Sequence, residues 1–536
     1  MRRIYTFVFE FTSTTLLLTL PAVFVMAAQD ETNWSTHVDA GVQAFQQKDF
    51  AKAEAELTTA VKSAEGFKQP DSRLASSLND LGMVYDAEHK FDDAEKVYNR
   101  SIEIREKALG KDDPSLSIPL DNLGVLYREQ HKYDQAEPVY RRVLQLREAA
   151  GGAETIDTAK ALNNVALVLR EQKKFSDAEP LLRRALSIEE KAMGSDDPNI
   201  AIGLNNVAVD LREQGKGEEA LPLYQRALAI RQKAFGANSA EAAASLNNLA
   251  ALYRELGKFA DAEPLLKQAL SIHQSIPNHN TAIAIAANNL ALLYREEGKY
   301  DEARALYDMV LPFWKNAVSP QPLKLAHALE NLGALTREQE KYEESAQFLK
   351  EALAAREAAG DTESIDYANL LQNLEETYRD QGKFAEAQDL LQRSVAVTKK
   401  TLGDDSPELA DKLNDQALLF VEQEKFTEAE PLFQQALAIR EKVFGQDDVR
   451  VAVILNDLAR LYRNEKRYAD SEAAYKRTLA IRAKALGPDD ASVAATMRNY
   501  AVLLSASGKE SEATVMNDRA AKIEERVSSA SGPEAQ

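Results

Sequence analysis

The chain has 536 residues, 45% of them hydrophobic and 28% charged, with only 22 glycines and 17 prolines, the profile of a helix-rich protein able to bury a long core. It has no cysteine, which removes disulfides, thiolate zinc sites, cysteine nucleophiles and lipoprotein acylation together. Its 85 acidic residues against 65 basic ones give a net charge of −20, which a nucleic-acid backbone or an anionic lipid surface would repel, so no nucleic-acid partner is expected.

In chain order, the first element is an expected export signal over residues 1–28. Arg2 and Arg3 precede an apolar stretch that is densest at Leu16 to Leu18 and Val23 to Val25. Ala27 and Ala28 then offer small residues for cleavage before Gln29-Asp30-Glu31. Glu10 and the run Thr12 to Thr15 leave the clean apolar run too short to span a bilayer. The expectation is a periplasmic or secreted chain with no stable membrane insertion after signal cleavage.

A repeat occupies residues 35–526. Aligned on residues 246–272, the small residue Ala250 recurs as Gly41, Gly82, Gly124, Ala166, Ala208, Ala291, Gly333, Ala417, Ala459 and Ala501. Glu375 stands at the one exception, and the spacing is 42 residues except for two of 41, giving twelve units. Residues 527–536 remain as a polar tail, expected to be disordered.

Each unit reads as two helices. Leu246, Leu249, Ala250 and Tyr253 fall at i, i+3, i+4 and i+7, an apolar stripe at helical period. Gly257 supplies a left-handed stop, and a second helix carries Ala262, Leu266 and Ala269, with Pro264 expected in its first turn. Gly110, Gly152, Gly194, Gly236, Gly403, Gly445 and Gly487 end that second helix at one repeat position. Neither stripe is buried alone, so the hairpins must stack.

The segments "LNNLAALYRELGKFADAEPLLKQAL" and "AIREKVFGQDDVRVAVILNDLARLYRNEKRYADSEAAY" resemble the tetratricopeptide repeat, and the 42-residue period resembles the kinesin light chain type. The resemblance implies an all-α solenoid of about twelve helical hairpins, wound as a right-handed superhelix with the first helices on its concave side. It also implies a groove that takes short, acidic-flanked peptides. No heptad region of the kind that joins a motor heavy chain is found, and an exported chain would not meet a cytoplasmic motor, so only the repeat is expected to carry over.

The usual catalytic motifs are absent: no cysteine nucleophile, no Gly-rich phosphate loop, no His-Glu-x-x-His. No catalytic residue, metal or cofactor is therefore expected. His89 and His131 share a repeat position with Gly215, Gly257, Gly298, Gly382 and Gly508, so they read as helix terminators rather than ligands. The pairs Asp112-Asp113, Asp196-Asp197, Asp404-Asp405, Asp447-Asp448 and Asp489-Asp490 lack the alternating oxygens of a calcium loop and read as helix caps.

The polar face of the first helices holds the candidate binding residues: Asn163, Asn164 and Arg170; Asn205, Asn206 and Arg212; Asn247, Asn248 and Arg254; Asn288, Asn289 and Arg295; then Arg337 and Arg379. Amides pair with both groups of an extended backbone, and guanidinium forks hold carboxylates, so these rows suit a protein or peptide with acidic residues. A second reading is open. Each Arg precedes an acid (Glu171, Glu213, Glu255, Glu296, Glu338, Asp380), so Arg of one repeat could bridge to the acid of the next and Asn could tie neighbouring helices.

The Lys column, including Lys90, Lys174, Lys216 and Lys509, reads as a solvated rim, and the aromatic after it as core. Gly217 lacks that aromatic, so a weak joint is expected there unless Leu221 and Leu223 compensate. Two rival functions remain: a hydrolase with paired carboxylates in the groove, whose pKa the adjoining Arg residues would lower rather than raise, and a structural spacer in the cell envelope.

Overall fold

The structure is a computed structural model that describes residues 22–68, 70–316 and 321–530. It is all α, with 24 helices paired as hairpins and no strand among the described residues. The hairpins group into two compact units, Met1–Ile272 and His273–Gln536. The first holds α1 and α2 (Ala22–Gln46, Phe50–Glu65), α3 and α4 (Ser72–Ala87, Phe91–Leu109), and α5 and α6 (Ser117–Glu129, Tyr133–Gly151). It continues with α7 and α8 (Ile156–Glu171, Phe175–Met193), α9 and α10 (Ile200–Glu213, Gly217–Phe235), and α11 and α12 (Ala240–Glu255, Phe259–Ser275), the last running just past Ile272.

The second unit holds α13 and α14 (Asn280–Glu296, Tyr300–Lys315), α15 and α16 (Pro322–Glu338, Tyr342–Ala358), and α17 and α18 (Ile365–Asp380, Phe384–Leu402). It ends with α19 and α20 (Pro407–Glu422, Phe426–Phe444), α21 and α22 (Val449–Asn464, Tyr468–Leu486), and α23 and α24 (Ala491–Ala506, Glu510–Ala530). Odd-numbered helices are the first of each pair.

Residues 1–21 of the expected export signal lie outside the described residues, and its last residues, 22–28, are the opening turns of α1. No described helix is long and apolar enough to cross a membrane. At the other end α24 continues to Ala530, so Val527 to Ala530 extend a helix where a disordered tail was expected; residues 531–536 lie outside the described residues.

The small-residue column sets the helix crossing. A Cβ placed on Gly82 would lie 2.6 Å from Tyr98 Cε1, and one on Gly124 would lie 2.7 Å from Tyr140 Cε1. A large side chain of the second helix thus occupies the space that the first helix gives up, at close packing that tolerates no added methyl. The first helices stop as expected: His89 and His131 take φ of 60° and 57°, the conformation that Gly257 takes at 70°. They stack edge-on to Phe91 and Tyr133, with ring centroids 5.5 and 5.7 Å apart.

Pro264 is the sixth residue of α12, not in its first turn. Only the first four N–H groups of a helix lack an intrahelical partner, so the helix forgoes one interior bond there.

The paired acids divide their work. In four of the five pairs the second acid accepts a backbone N–H at the start of the next helix, as Asp448 does from Arg450 N at 2.9 Å and Asp490 from Ser492 N at 2.8 Å; in the fifth, Asp405 meets Lys442 at 2.6 Å and Ser406 caps the helix. The first reaches a cation 37 residues on, as in Asp196 to Lys233 at 2.6 Å and Asp447 to Lys484 at 2.7 Å.

The Lys column is not a free rim. Lys90 meets Glu54 at 2.7 Å, Lys216 meets Glu179 at 3.0 Å and Lys509 meets Glu472 at 2.8 Å, each in the preceding repeat's second helix. Nor is Gly217 a gap. It is buried, and a Cβ there would lie 2.9 Å from Leu256 Cδ2 and 3.3 Å from Leu252 Cδ1. The anchor comes from the following repeat rather than from Leu221 and Leu223. Leu256 stands where Glu88, Gln130, Gln172, Gln214 and Gln339 stand in other units, so one unusual residue fills the space left by another.

Candidate functional site

The polar face of the odd-numbered helices carries two columns of amides and acids and one column of Arg. Successive first helices are laced together along it by bonds between residues 43 apart. In the first unit Asn122 Nδ2 donates to Asn79 Oδ1 at 2.9 Å and Asn164 Nδ2 to Asp121 Oδ1 at 3.5 Å. In the second, Asn331 Nδ2 donates to Asn288 Oδ1 at 2.5 Å, Gln372 Nε2 to Asp415 Oδ2 at 2.7 Å, and Asn499 Nδ2 to Asn456 Oδ1 at 3.3 Å.

The same columns also bond within each hairpin. Asn163 Nδ2 donates to Glu189 Oε1 at 3.1 Å, Arg356 Nε donates to Glu330 Oε1 at 2.9 Å, and Arg147 joins Asp121.

Much of the Arg column is closed in this way. Arg212 Nε lies 3.6 Å from Glu255, Arg295 Nε lies 3.2 Å from Glu338, and Arg337 Nε lies 2.6 Å from Asp380 while also joining Glu376. These are the inter-repeat struts of the second sequence reading. Arg337, Glu338, Asp380 and Asn373 line a cleft of about 360 Å³ in the second unit that the Arg337–Asp380 pair partly closes. Arg379 is half-buried, with Nε 4.0 Å from Glu375. Arg254, Asn206, Asn248 and Asn289 are half-buried at the corresponding levels of their helices.

The Arg struts are interrupted between the fourth and fifth repeats. Glu213, which the 43-residue spacing would give to Arg170, is instead bonded to its own neighbour Arg212 at 2.9 Å. Arg170 Nε, Asn205 Oδ1, Asn247 Oδ1 and the Tyr224 hydroxyl are all buried without a hydrogen-bond partner. Tyr224 is 1% exposed and lies within electrostatic reach of both Arg170 and Arg212; burial pushes its hydroxyl up to about 12, against the pull of those two cations. Unpartnered buried atoms recur in the same columns elsewhere, at Asn414 and Tyr475. Tyr224 escapes sequence reasoning because its column reads as core, and only the folded hairpin brings its hydroxyl to the polar face.

Acids with raised pKa also went unread in the sequence. Burial lifts Asp80 and Asp121 to about 6, and lifts Glu375 to about 7 in spite of Arg379. The expectation that Arg neighbours hold the groove carboxylates low therefore fails at these positions: desolvation outweighs the guanidinium. Glu375 is fully buried, which keeps it from a substrate.

Hairpins of one length, a small-residue crossing and ladders between successive first helices define a helical-repeat protein. The tetratricopeptide repeat family model matches residues 35–107, 73–149, 115–191, 157–216, 199–275, 282–358, 366–442 and 450–525, and the chain belongs to that family. Solved structures similar to it include a kinesin light chain of nearly identical repeats from Podosopora anserina, at 21% identity over 40% of this chain and 100% of that one, with a TM-score of 0.37. Others are BtubC from P. vanneervenii (21% identity, 50% and 91% of the two chains, TM-score 0.31) and a tetratricopeptide repeat protein from Parabacteroides merdae (18%, 56% and 98%, TM-score 0.41). No curated relative matches the chain.

Proposed function

We propose that the protein is an exported, non-catalytic scaffold that holds a protein or an extended peptide against the first-helix face, with acidic groups of the partner at the Arg column. The observation that carries this is the break in the Arg struts: Arg170, half-buried on α7, has lost Glu213 to Arg212, whereas Arg212, Arg295 and Arg337 each meet an acid of the next repeat. A carboxylate suits the Arg170 guanidinium, and the half-buried amides Asn206 and Asn248 suit a peptide backbone. Export rests on the sequence of residues 1–28, and the tetratricopeptide fold is one used for protein–protein interaction.

Site-specific crosslinking tests the reading. A photoreactive residue at Ile202, 54% exposed on α9, is compared with one at Phe235, 49% exposed at the end of α10. The proposal expects one partner band from the cell envelope through position 202, lost in the Arg170→Ala background. Equal capture through 235, or capture indifferent to Arg170, would move the partner off this face.

A further inference from the structure

Eleven of the twelve units place Gly or Ala at this position, ten of them opposite a Leu, Tyr or Phe sixteen positions on; the ninth places Glu375 there, opposite Leu391. Both side chains are fully buried, and neither Glu375 oxygen has a hydrogen-bond partner. The charged groups acting on Glu375 are Arg379 and Glu376 on its own helix α17, and Asp415, Glu422 and Lys412 on α19. Two residues on from Glu375, the Thr377 hydroxyl lies 3.2 Å from that of Ser345 on α16.

These neighbours are largely committed elsewhere. Glu376 is held by Arg337 of α15, Asp415 accepts from Gln372, and Lys412, itself 5% exposed, donates to Asn369 Oδ1 at 2.9 Å and to Gln372. What remains for Glu375 is one guanidinium 4.0 Å away among three acids.

We propose that Glu375 makes the joint between the ninth and tenth repeats proton-sensitive: neutral, it packs as a polar filler of the hairpin crossing; ionised, it is an unpaired buried charge facing acids, and the joint opens more often. Burial is the chief cause of its elevation to about 7, opposed by Arg379 and reinforced by Glu376, Asp415 and Glu422. An opened joint returns the carboxyl towards its ordinary 4.5. Protection is therefore full below that value, falls as pH rises towards 7, and levels off above it. The device needs no ligand and stands apart from the partner-binding reading.

Hydrogen exchange of the full chain at pH 5 and pH 8, corrected for intrinsic rates, tests it with Glu375→Gln and with Glu375→Ala, the latter restoring the residue usual at this position. Between the two pH values, protection in α17 and the start of α19 should fall by roughly ten- to a hundredfold in the parent chain. It should fall several-fold less in both variants, while the corresponding joint at Ala459 stays level in all three. An equal fall in the parent and both variants would overturn the proposal, as would a fall of the same size at Ala459.

Discussion

Replacing Leu256 by Gln, the residue that several other units carry at this position, isolates the one joint where the repeat departs from its own rule. Leu256 is partly buried and its methyl lies 2.9 Å from where a Cβ on Gly217 would stand, so the substitution withdraws apolar surface and leaves a void beside a glycine. Burying a Leu completely is worth about 1.5–3 kcal/mol, and a half-buried one correspondingly less; with a small cavity term the expected cost is about 1–2 kcal/mol. The complementary change, Gly217→Phe, restores the usual aromatic but drives it into Leu256 and Leu252, at an overpacking cost of about 1–3 kcal/mol. Together the two changes recreate the ordinary pair, and the double variant should recover most of both losses. Because repeat arrays open locally, the assay is hydrogen exchange of the turn around Lys216, where a cost of this size reads as roughly a 5- to 30-fold loss of protection. Strict additivity of the two changes would refute the claim that Leu256 substitutes for the missing ring.

Asp80, held near 6 by burial, stands in a column that is Asn in most repeats; its contribution is full below its ordinary 3.8 and is lost as pH rises through 6, so Asp80→Asn should stabilise the chain by about 1 kcal/mol at pH 8 and by nothing at pH 3.5 in a denaturant titration. Asp448→Ala should cost about 1 kcal/mol by uncapping α21, whereas Asp447→Ala, which breaks only an exposed pair with Lys484, should leave the melting temperature unchanged, as should added calcium. The intact mass of the exported protein should correspond to a chain beginning at Gln29; a full-length chain recovered from the cytosol would contradict the export reading.

The repeat, its twelve beats and its helix stops were legible because each rests on short-range rules: apolar spacing, small residues at crossings, and positive φ at the end of each first helix. His89 and His131 could be read as terminators from their Gly counterparts alone. What the sequence hid depends on partners 26 to 43 residues away. The Lys column looked solvated because its Glu partners lie in the preceding hairpin. Leu256 looked like an ordinary substitution until α10 and α11 were packed together. Asn and Arg could be assigned to one face, but which pairs close and which remain open depends on local rivals, such as Arg212 taking Glu213 from Arg170. Glu375 was visible as an exception, yet its consequence follows only from the burial that the hairpin imposes.

The central claim is that the Arg column is closed by struts at Arg212, Arg295 and Arg337 and open to a partner at Arg170. The most direct measurement compares partner affinity and melting temperature for Arg170→Ala and for the double variant Arg295→Ala with Arg337→Ala. A charge-assisted bond is worth about 1.5–3 kcal/mol, so the first change should weaken binding roughly ten- to a hundredfold and move the melting temperature little. The second should lower the melting temperature and leave binding close to the parent value, since Glu338 and Asp380 already hold those guanidiniums. The reverse pattern, with stability lost at 170 and binding lost at 295 and 337, would contradict the account.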